Sequence, residues 1–166
     1  MKNIEPKVTE FFVFDGRKIQ LSWFLGLPDP SLKVSQVSAY CIYIKKLILV
    51  KNKRGWGIPG GHPEDHETCE QALKRELYEE VGIEKNFQSK LIGWMKVEDP
   101  GNPGLEGKVS IQLRYVIILD ELPAFTPNPE IFERRLVDIN DFDKYVSWAS
   151  SPTGRAQISA LILNLI

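Results

Sequence analysis

The stretch "GHPEDHETCEQALKRELYEEVGI", residues 61–83, joins a loop containing glycine and proline to a helix whose two ends are both marked in the sequence. Thr68 and Gln71 have the spacing of a capping box, in which each side chain satisfies a free backbone N–H group of the other residue. Gly82 suits the left-handed residue that often closes a helix. We therefore predict a helix over 68–82.

Three glutamates, Glu76, Glu79 and Glu80, crowd one side of this helix. At the α-helical period, Glu76 and Glu80 fall inside the apolar stripe that should face the core, while Lys74 and Arg75 fall to either side of it. A buried carboxylate beside another carboxylate is costly unless a positive group compensates. A divalent cation is one solution, and oxygen ligands alone favour Mg²⁺ or Mn²⁺. A partly buried network of salt bridges with residues from elsewhere in the fold is an equally weighted alternative.

The composition excludes several classes of protein. A chain of 166 residues is typical of one domain. The net charge of −1, with Lys and Arg dispersed, argues against a nucleic acid polymer or an anionic membrane as partner. Cys41 and Cys69 are too few for a disulfide framework, which indicates a reducing compartment. We find no signal peptide and no apolar run long enough to span a bilayer, so we expect a cytoplasmic protein.

The rest of the chain alternates strand patterns with helical ones. Residues 8–25 read as a β-hairpin that turns at Asp15-Gly16, and 34–52 as a second hairpin that turns near Lys45-Lys46. Further strands are expected within 87–99, 108–122 and 134–139, followed by two closing helices within 140–149, capped by Asn140 or Asp141, and 153–166. This mixed order predicts an α/β or α+β layered domain. We expect one domain over 1–166, in which 1–30 form a hairpin extension and linker.

The spacing in residues 61–83 resembles the Nudix box. That pattern is Gly, five residues, Glu, seven residues, then Arg-Glu-aliphatic-any-Glu-Glu-any-Gly-aliphatic. Every specified position is filled, by Gly61, Glu67, Arg75, Glu76, Leu77, Glu79, Glu80, Gly82 and Ile83. The preceding "WGIPG" also looks like the family's lead-in. The resemblance implies an α/β/α sandwich with a mixed β-sheet, here with an added N-terminal β-hairpin.

The resemblance also implies a metal site. Glu76, Glu79 and Glu80 match the family's metal-binding carboxylates, and the carbonyl of Gly60 would be a further ligand. The expected cofactor is Mg²⁺, with Mn²⁺ as a substitute.

Four other positions match structural residues of the box. Gly61 would allow a tight turn that brings the loop backbone close to the metal. Glu67 and Arg75 resemble an ion pair that anchors the loop to the helix, and Gly82 would close the helix.

The implied activity is hydrolysis of a nucleoside diphosphate linked to another moiety, by attack of a metal-activated water on phosphorus. A nucleoside triphosphate, ADP-ribose, a nucleotide sugar and a dinucleoside polyphosphate all remain open as substrates. The general base in this family is either a box glutamate, here Glu79, or an acid on a later loop, where Glu130 stands and Glu133 competes with it. The alternative is a Nudix-fold protein that binds nucleotides or regulates without cleaving them.

Arg54 and Trp56, which precede the box, are weaker candidates for substrate binding. Arg54 could contact terminal phosphates, although a solvated basic loop explains it equally well. Trp56 could stack on a base, but packing in the core is the favoured interpretation. The aromatic N-terminal hairpin favours core or dimer packing over substrate contact, so a small nucleotide and a homodimer are the expected partners.

Overall fold

The computed structural model describes residues 5–104 and 107–166. The first four residues of the expected N-terminal extension, and Leu105 and Glu106 between the strands expected within 87–99 and 108–122, lie outside the described residues.

The described strands belong to one sheet, in the order β1-β2-β7-β8-β3-β4-β5, with β6 paired to β3 and β9 to β4. The strands are β1 (Val8–Phe14), β2 (Arg17–Phe24), β3 (Val34–Tyr43), β4 (Lys46–Asn52), β5 (Gly55–Gly57), β6 (Gly60–Gly61), β7 (Ser89–Glu98), β8 (Val109–Leu119) and β9 (Glu133–Asp138). The helices are α1 (Cys69–Val81), a 3₁₀ turn (Ile139–Asp141), α2 (Phe142–Tyr145) and α3 (Pro152–Leu163).

The sheet is mixed. Strands β3 and β8 run parallel over most of their length, whereas the other pairs between described strands are antiparallel. The chain returns to β8 only after the box helix and β7, so this pairing joins segments far apart in sequence. The mixed sheet predicted from the resemblance is confirmed.

Alternating side chains on β3 and β4 bury two separate cores, because successive strand residues point to opposite faces of a sheet. Val37, Ala39 and Cys41 pack with α1 on one face. Tyr40 and Ile42 pack on the other, with a second apolar cluster that includes Phe142, Val146 and Leu161 from the C-terminal segment. The result is the α/β/α sandwich that the resemblance implied, with α1 the one described helix in the first core and the C-terminal helices in the second.

The N-terminal hairpin is confirmed and is part of the main sheet. Asp15 and Gly16 have φ of 50° and 72°, the left-handed values that the predicted turn requires. Strand β2 pairs with β7, so the hairpin extends the sheet by two strands. The carboxylate of Glu10 on β1 accepts hydrogen bonds from Ser151 Oγ (2.9 Å) and the backbone N–H of Thr153 (3.2 Å), at the start of α3.

Two local predictions need correction. The second hairpin turns at Ile44 and Lys45, one residue earlier than expected, and both have positive φ. Residues 140–149 do not form one helix, because the 3₁₀ turn and the single turn of α2 end where Val146 becomes extended (φ −107°) and fully buried against the sheet. Asp141, one of the two expected caps, makes no side-chain cap bond. Among the described residues, no helix is long and apolar enough to cross a membrane.

Candidate active site

Helix α1 begins and ends as its sequence predicts. Thr68 Oγ1 accepts a hydrogen bond from the backbone N–H of Gln71 (3.2 Å), and the Gln71 side chain accepts one from the N–H of Thr68 (2.8 Å). Gly82 closes the helix with φ of 85°. A Cβ at this glycine would also lie 2.4 Å from the carbonyl oxygen of Ala124, so the loop after β8 can approach the helix only because no side chain is present.

Arg75 fastens the loop before α1 to the helix. Its Nε and a terminal nitrogen donate to the two oxygens of Glu67, at 2.8 and 2.9 Å, and it also donates to the carbonyl of His62 (3.1 Å). The hydrogen bonds from Arg75, and one from the backbone N–H of Glu64, lower the pKa of Glu67 to about 2. Because a two-point arginine–carboxylate pair fixes orientation as well as distance, the loop has a defined path over the helix.

The Glu76 and Glu80 side chains converge on the dipeptide Gly60-Gly61. Glu80 Oε2 accepts a hydrogen bond from the backbone N–H of Gly60 at 2.8 Å. A Cβ built on Gly61 would lie 2.2 Å from Glu76 Oε1, so the carboxylate occupies the space that any side chain at Gly61 would need. The Glu76 side chain is only 13% exposed. As the helix periodicity predicts, both carboxylates therefore point inward.

These two carboxylates are held in a site that disfavours their charge. Burial raises the pKa of Glu80 to about 7, against the hydrogen bond from Gly60, and the charges of Glu76, Glu130 and Glu79 raise it further. Burial also raises the pKa of Glu76, although the guanidinium of Arg75 opposes the shift. A cation placed between Glu76 and Glu80 would relieve both effects.

Arg75 is closer to the glutamates than the helix periodicity suggested. Its terminal nitrogen lies 2.7 Å from Glu76 Oε1 and 3.5 Å from Glu79 Oε2. One basic side chain of α1 therefore reaches the carboxylates. Glu79 is about half exposed. Within the described ranges, no three His, Cys, Asp or Glu side chains form a ready metal cage. Two carboxylates still fit Mg²⁺, which is usually held by one or two of them together with waters and substrate phosphates.

The structure distinguishes Glu130 from Glu133, the two candidates for a general base after the box. Glu130 lies near enough to the cluster for its charge to raise the pKa of both Glu76 and Glu80. Glu133 is on β9, where it accepts a hydrogen bond from Arg135 at 2.5 Å. The guanidinium of the neighbouring Arg134 donates a hydrogen bond to the carbonyl oxygen of Val81, at the end of α1 (3.1 Å). Since consecutive strand residues face opposite ways, Glu133 points away from the α1 side.

The two weaker substrate candidates do not join the cluster. Trp56 packs edge-on against Tyr145, with the guanidinium of Arg135 4.9 Å from its ring centre, on the face opposite α1. This arrangement agrees with the packing interpretation. Arg54 is exposed in the turn between β4 and β5, where its backbone N–H donates to Asn52.

Sequence reasoning missed the residues that fix the loop around Glu130. The Asn128 side chain accepts hydrogen bonds from the backbone N–H groups of Glu130 (2.9 Å) and Ile131 (2.8 Å), and its amide donates to the carbonyl of Glu79 (3.4 Å). The "NPE" sequence is the available signal, because Asn often bonds to backbone two residues ahead in turns. This loop is therefore tied directly to the helix that carries the glutamates.

The raised pKa of Glu80 predicts how the stability of the metal-free protein depends on pH. The carboxyl of Glu80 binds its proton more tightly in the folded state than in the unfolded state, where its pKa is near 4.5. Protonated Glu80 therefore contributes its full stabilisation below pH 4.5, and this stabilisation is lost as pH rises through about 7. The loss is up to about 3 kcal/mol at 1.36 kcal/mol per pKa unit. Chemical unfolding in EDTA between pH 4.5 and 8 should show it.

The matched control is Glu80→Gln, which keeps an oxygen for the Gly60 N–H but does not titrate. The free energy of unfolding of this variant should fall less over the same pH range than that of the unaltered chain. Identical pH profiles for the two proteins would show that the Glu80 pKa is not raised.

A sequence model of the NUDIX domain matches residues 33–156 of this chain. Among curated proteins, 29 residues are 66% identical to the 8-oxo-dGTP diphosphatase of Proteus vulgaris, covering 18% of this chain and 26% of that protein. Another 34-residue match is 56% identical to an RNA pyrophosphohydrolase of Aliivibrio fischeri, covering 20% of each chain. The matched segments thus span about a quarter or less of these relatives.

Solved structures show the same fold at low sequence identity. The Bacillus subtilis pyrophosphohydrolase BsRppH superposes with a TM-score of 0.69 at 21% identity, covering 93% of this chain and 97% of that one. The NUDIX domain of Shewanella oneidensis NrtR, in complex with ADP ribose, gives 0.61 at 16% identity, covering 84% and 94%. With the domain match covering most of the chain and the box complete, the protein belongs to the Nudix family.

Proposed function

We propose that this protein is a Mg²⁺-dependent pyrophosphohydrolase, able to use Mn²⁺ instead, that cleaves a nucleoside diphosphate linked to another moiety. The observation that carries the proposal is the convergence of Glu76 and Glu80 on Gly60-Gly61, where burial raises the pKa of both carboxyls. Family membership supports it, since Nudix enzymes generally need divalent metals.

The proposed ligands are Glu76, Glu79, Glu80 and the backbone carbonyl of Gly60. A divalent ion bound there would neutralise diphosphate charge and lower the pKa of water. The chain contributes the arrangement of these groups. Arg75 holds the loop through Glu67 and donates a hydrogen bond to Glu76, so it orients the Glu76 carboxylate. Because Gly61 has no side chain, the carboxylate of Glu76 can occupy the space next to its Cα.

Glu130 is the proposed acceptor of the proton released when water attacks phosphorus. It is exposed, so its carboxylate can reach substrate, and its backbone is fixed by Asn128. Glu79, which is half exposed on α1, is the alternative acceptor. Glu130 and Glu79 both lie close enough to Glu76 and Glu80 to raise the pKa of those carboxyls, and a general base must be near the reacting water.

We also propose a small nucleotide as the partner and the cytoplasm as the location. The net charge of −1 supports a small-molecule substrate over a nucleic acid polymer. Cys41 and Cys69 are both free thiols, which fits a reducing compartment. The proposed organisation is one Nudix domain over 1–166, with the hairpin extension at its start.

A substrate screen tests the function. The purified chain is incubated with nucleoside triphosphates, 8-oxo-dGTP, ADP-ribose, nucleotide sugars, dinucleoside polyphosphates and a 5′-triphosphorylated RNA oligonucleotide, and phosphate, pyrophosphate and nucleotide release are measured. We expect release from at least one class with Mg²⁺ and none with EDTA. Binding of a nucleotide without turnover under any metal condition would instead identify a non-catalytic nucleotide-binding protein.

A further inference from the structure

Arg114 on β8 is a buried cation whose hydrogen-bond partners are uncharged. Only 6% of it is exposed, and its guanidinium donates to the side-chain oxygens of Gln157 on α3 (3.0 Å), Gln36 on β3 (3.3 Å) and Gln112 on β8 (2.6 Å). In the part of the chain that the structure describes, no carboxylate forms an ion pair with it. Burial lowers the pKa of Arg114, and the phenol of Tyr40, rather than an acid, opposes the shift. The fold therefore keeps a positive charge that no acidic side chain neutralises, although such burial is costly.

Arg114 determines how the two glutamines on the neighbouring strand positions are oriented. A guanidinium has only donors, so the amides of Gln36 and Gln112 present their oxygens to it and turn their NH₂ groups away from it. The two glutamines are opposite each other in the parallel ladder of β3 and β8, and both are partly exposed. Together they form a surface rich in N–H donors with a positive charge behind it. Such a surface favours a ligand that presents hydrogen-bond acceptors.

The two glutamines lie on the face of the sheet opposite α1, close to the strand that holds Gly60. Tyr40 packs in the second core on this face, and side chains two residues apart on a strand share a face, so Ser38 and Gln36 lie on it too. Ser38 pairs with Gly60 in the ladder of β3 and β6, and the Cα of Gln36 is about 7 Å farther along β3. Since β6 is only two residues long, a nucleotide whose diphosphate contacts Gly60 can extend past it to the glutamines.

We propose that Gln36, Arg114 and Gln112 bind the base of the nucleotide and favour guanine over adenine. The inference rests on the proposed function and narrows its substrate. Guanine presents two acceptors, O6 and N7, on one edge. The outward N–H groups of the glutamines can bind both, and the charge of Arg114 behind them strengthens these bonds. Adenine has a 6-amino donor in place of O6, so one glutamine N–H would meet another donor.

A change of Gln112 to glutamate inverts the donor pattern and keeps the packing. Gln112→Glu retains an oxygen for the guanidinium and gives the buried cation an acidic partner, so we expect the fold to be kept. The outward NH₂ group is replaced by an acceptor, which repels guanine O6 and can accept a hydrogen bond from the amino group of adenine. The ratio of the dissociation constants for ADP and GDP should therefore fall by about tenfold or more, because base contacts of this kind discriminate to that extent.

NMR titration of the full ¹⁵N-labelled chain in EDTA tests the base site without turnover. The unaltered chain should bind GDP about tenfold more tightly than ADP, and GDP should shift the side-chain amide signals of Gln36 and Gln112. The matched control is Gln20→Glu on β2, which alters a partly exposed glutamine that donates to Ser22 on the other face of the sheet. This variant should keep the preference of the unaltered chain.

Three results would overturn the base site. They are equal affinity for GDP and ADP, which would indicate binding through the phosphates alone, no shift of the two amide signals at saturating or millimolar GDP, and an unchanged preference in Gln112→Glu. Hydrolysis is not needed in any of these measurements, so a chain that cleaves no nucleotide would contradict the proposed function without deciding the base preference. In an active enzyme, kcat/KM should be higher for the guanine member of each nucleotide class than for the adenine member.

Discussion

Glu80→Gln should lower kcat/KM by at least about a thousandfold on whichever nucleotide the enzyme cleaves, while the fold is kept. The amide retains an oxygen that can accept a hydrogen bond from the backbone N–H of Gly60. In the unaltered chain, Glu80 Oε2 accepts this bond at 2.8 Å. It loses the negative charge needed to bind a divalent ion. Metal ions supply several kcal/mol of transition-state stabilisation, and each 1.36 kcal/mol is a factor of ten in rate.

The matched control is Glu70→Gln, on the first turn of the same helix. Glu70 is exposed and pairs with Lys74 at 3.0 Å, so its loss removes a surface ion pair of small effect. Its kcat/KM should stay within about twofold of the unaltered chain, since surface pairs contribute little. Stabilisation by Mg²⁺ in thermal melts should be lost in Glu80→Gln and kept in Glu70→Gln. Undiminished turnover by Glu80→Gln would mean that other residues bind the metal.

The box helix was predictable because its signals are local. The cap at Thr68, the left-handed Gly82 and the inward direction of Glu76 and Glu80 all follow from sequence spacing and the helical period. Helical phase fixes where a Cα lies but not where a long side chain ends. For this reason Arg75, placed beside the stripe by its phase, still reaches Glu76.

Features that depend on distant pairing could not be derived in the same way. The parallel pairing of β3 with β8 joins segments separated by the box helix and β7. The direction of Glu133 depends on how β9 pairs with β4, where Val50 lies opposite Arg134 and Lys51 opposite Glu133. Without that register, Glu130 and Glu133 are simply two acidic residues near one short strand. The sequence alone gives only a weak preference for Glu130 as the general base.

Glu130→Gln should lower kcat by about a hundredfold to ten-thousandfold, the range expected when a general base is removed. Glu133→Gln should leave kcat nearly unchanged, because Glu133 accepts a hydrogen bond from Arg135 and points away from α1. The Asn128 bond to Glu130 is made by its backbone N–H, so the amide should not disturb the loop.

The pH profile distinguishes loss of a base from loss of loop structure. Without the proton acceptor at residue 130, the acidic limb of the kcat profile should flatten or move, while the KM and the Mg²⁺ dependence change little, since the proposed ligands are untouched. A structural defect would instead raise KM and weaken Mg²⁺ stabilisation together. If Glu130→Gln keeps full kcat, the proton must go elsewhere, and Glu79 becomes the assigned base because it is the remaining exposed acid of the cluster. If Glu133→Gln loses activity instead, the orientation of β9 derived from its pairing with β4 is wrong.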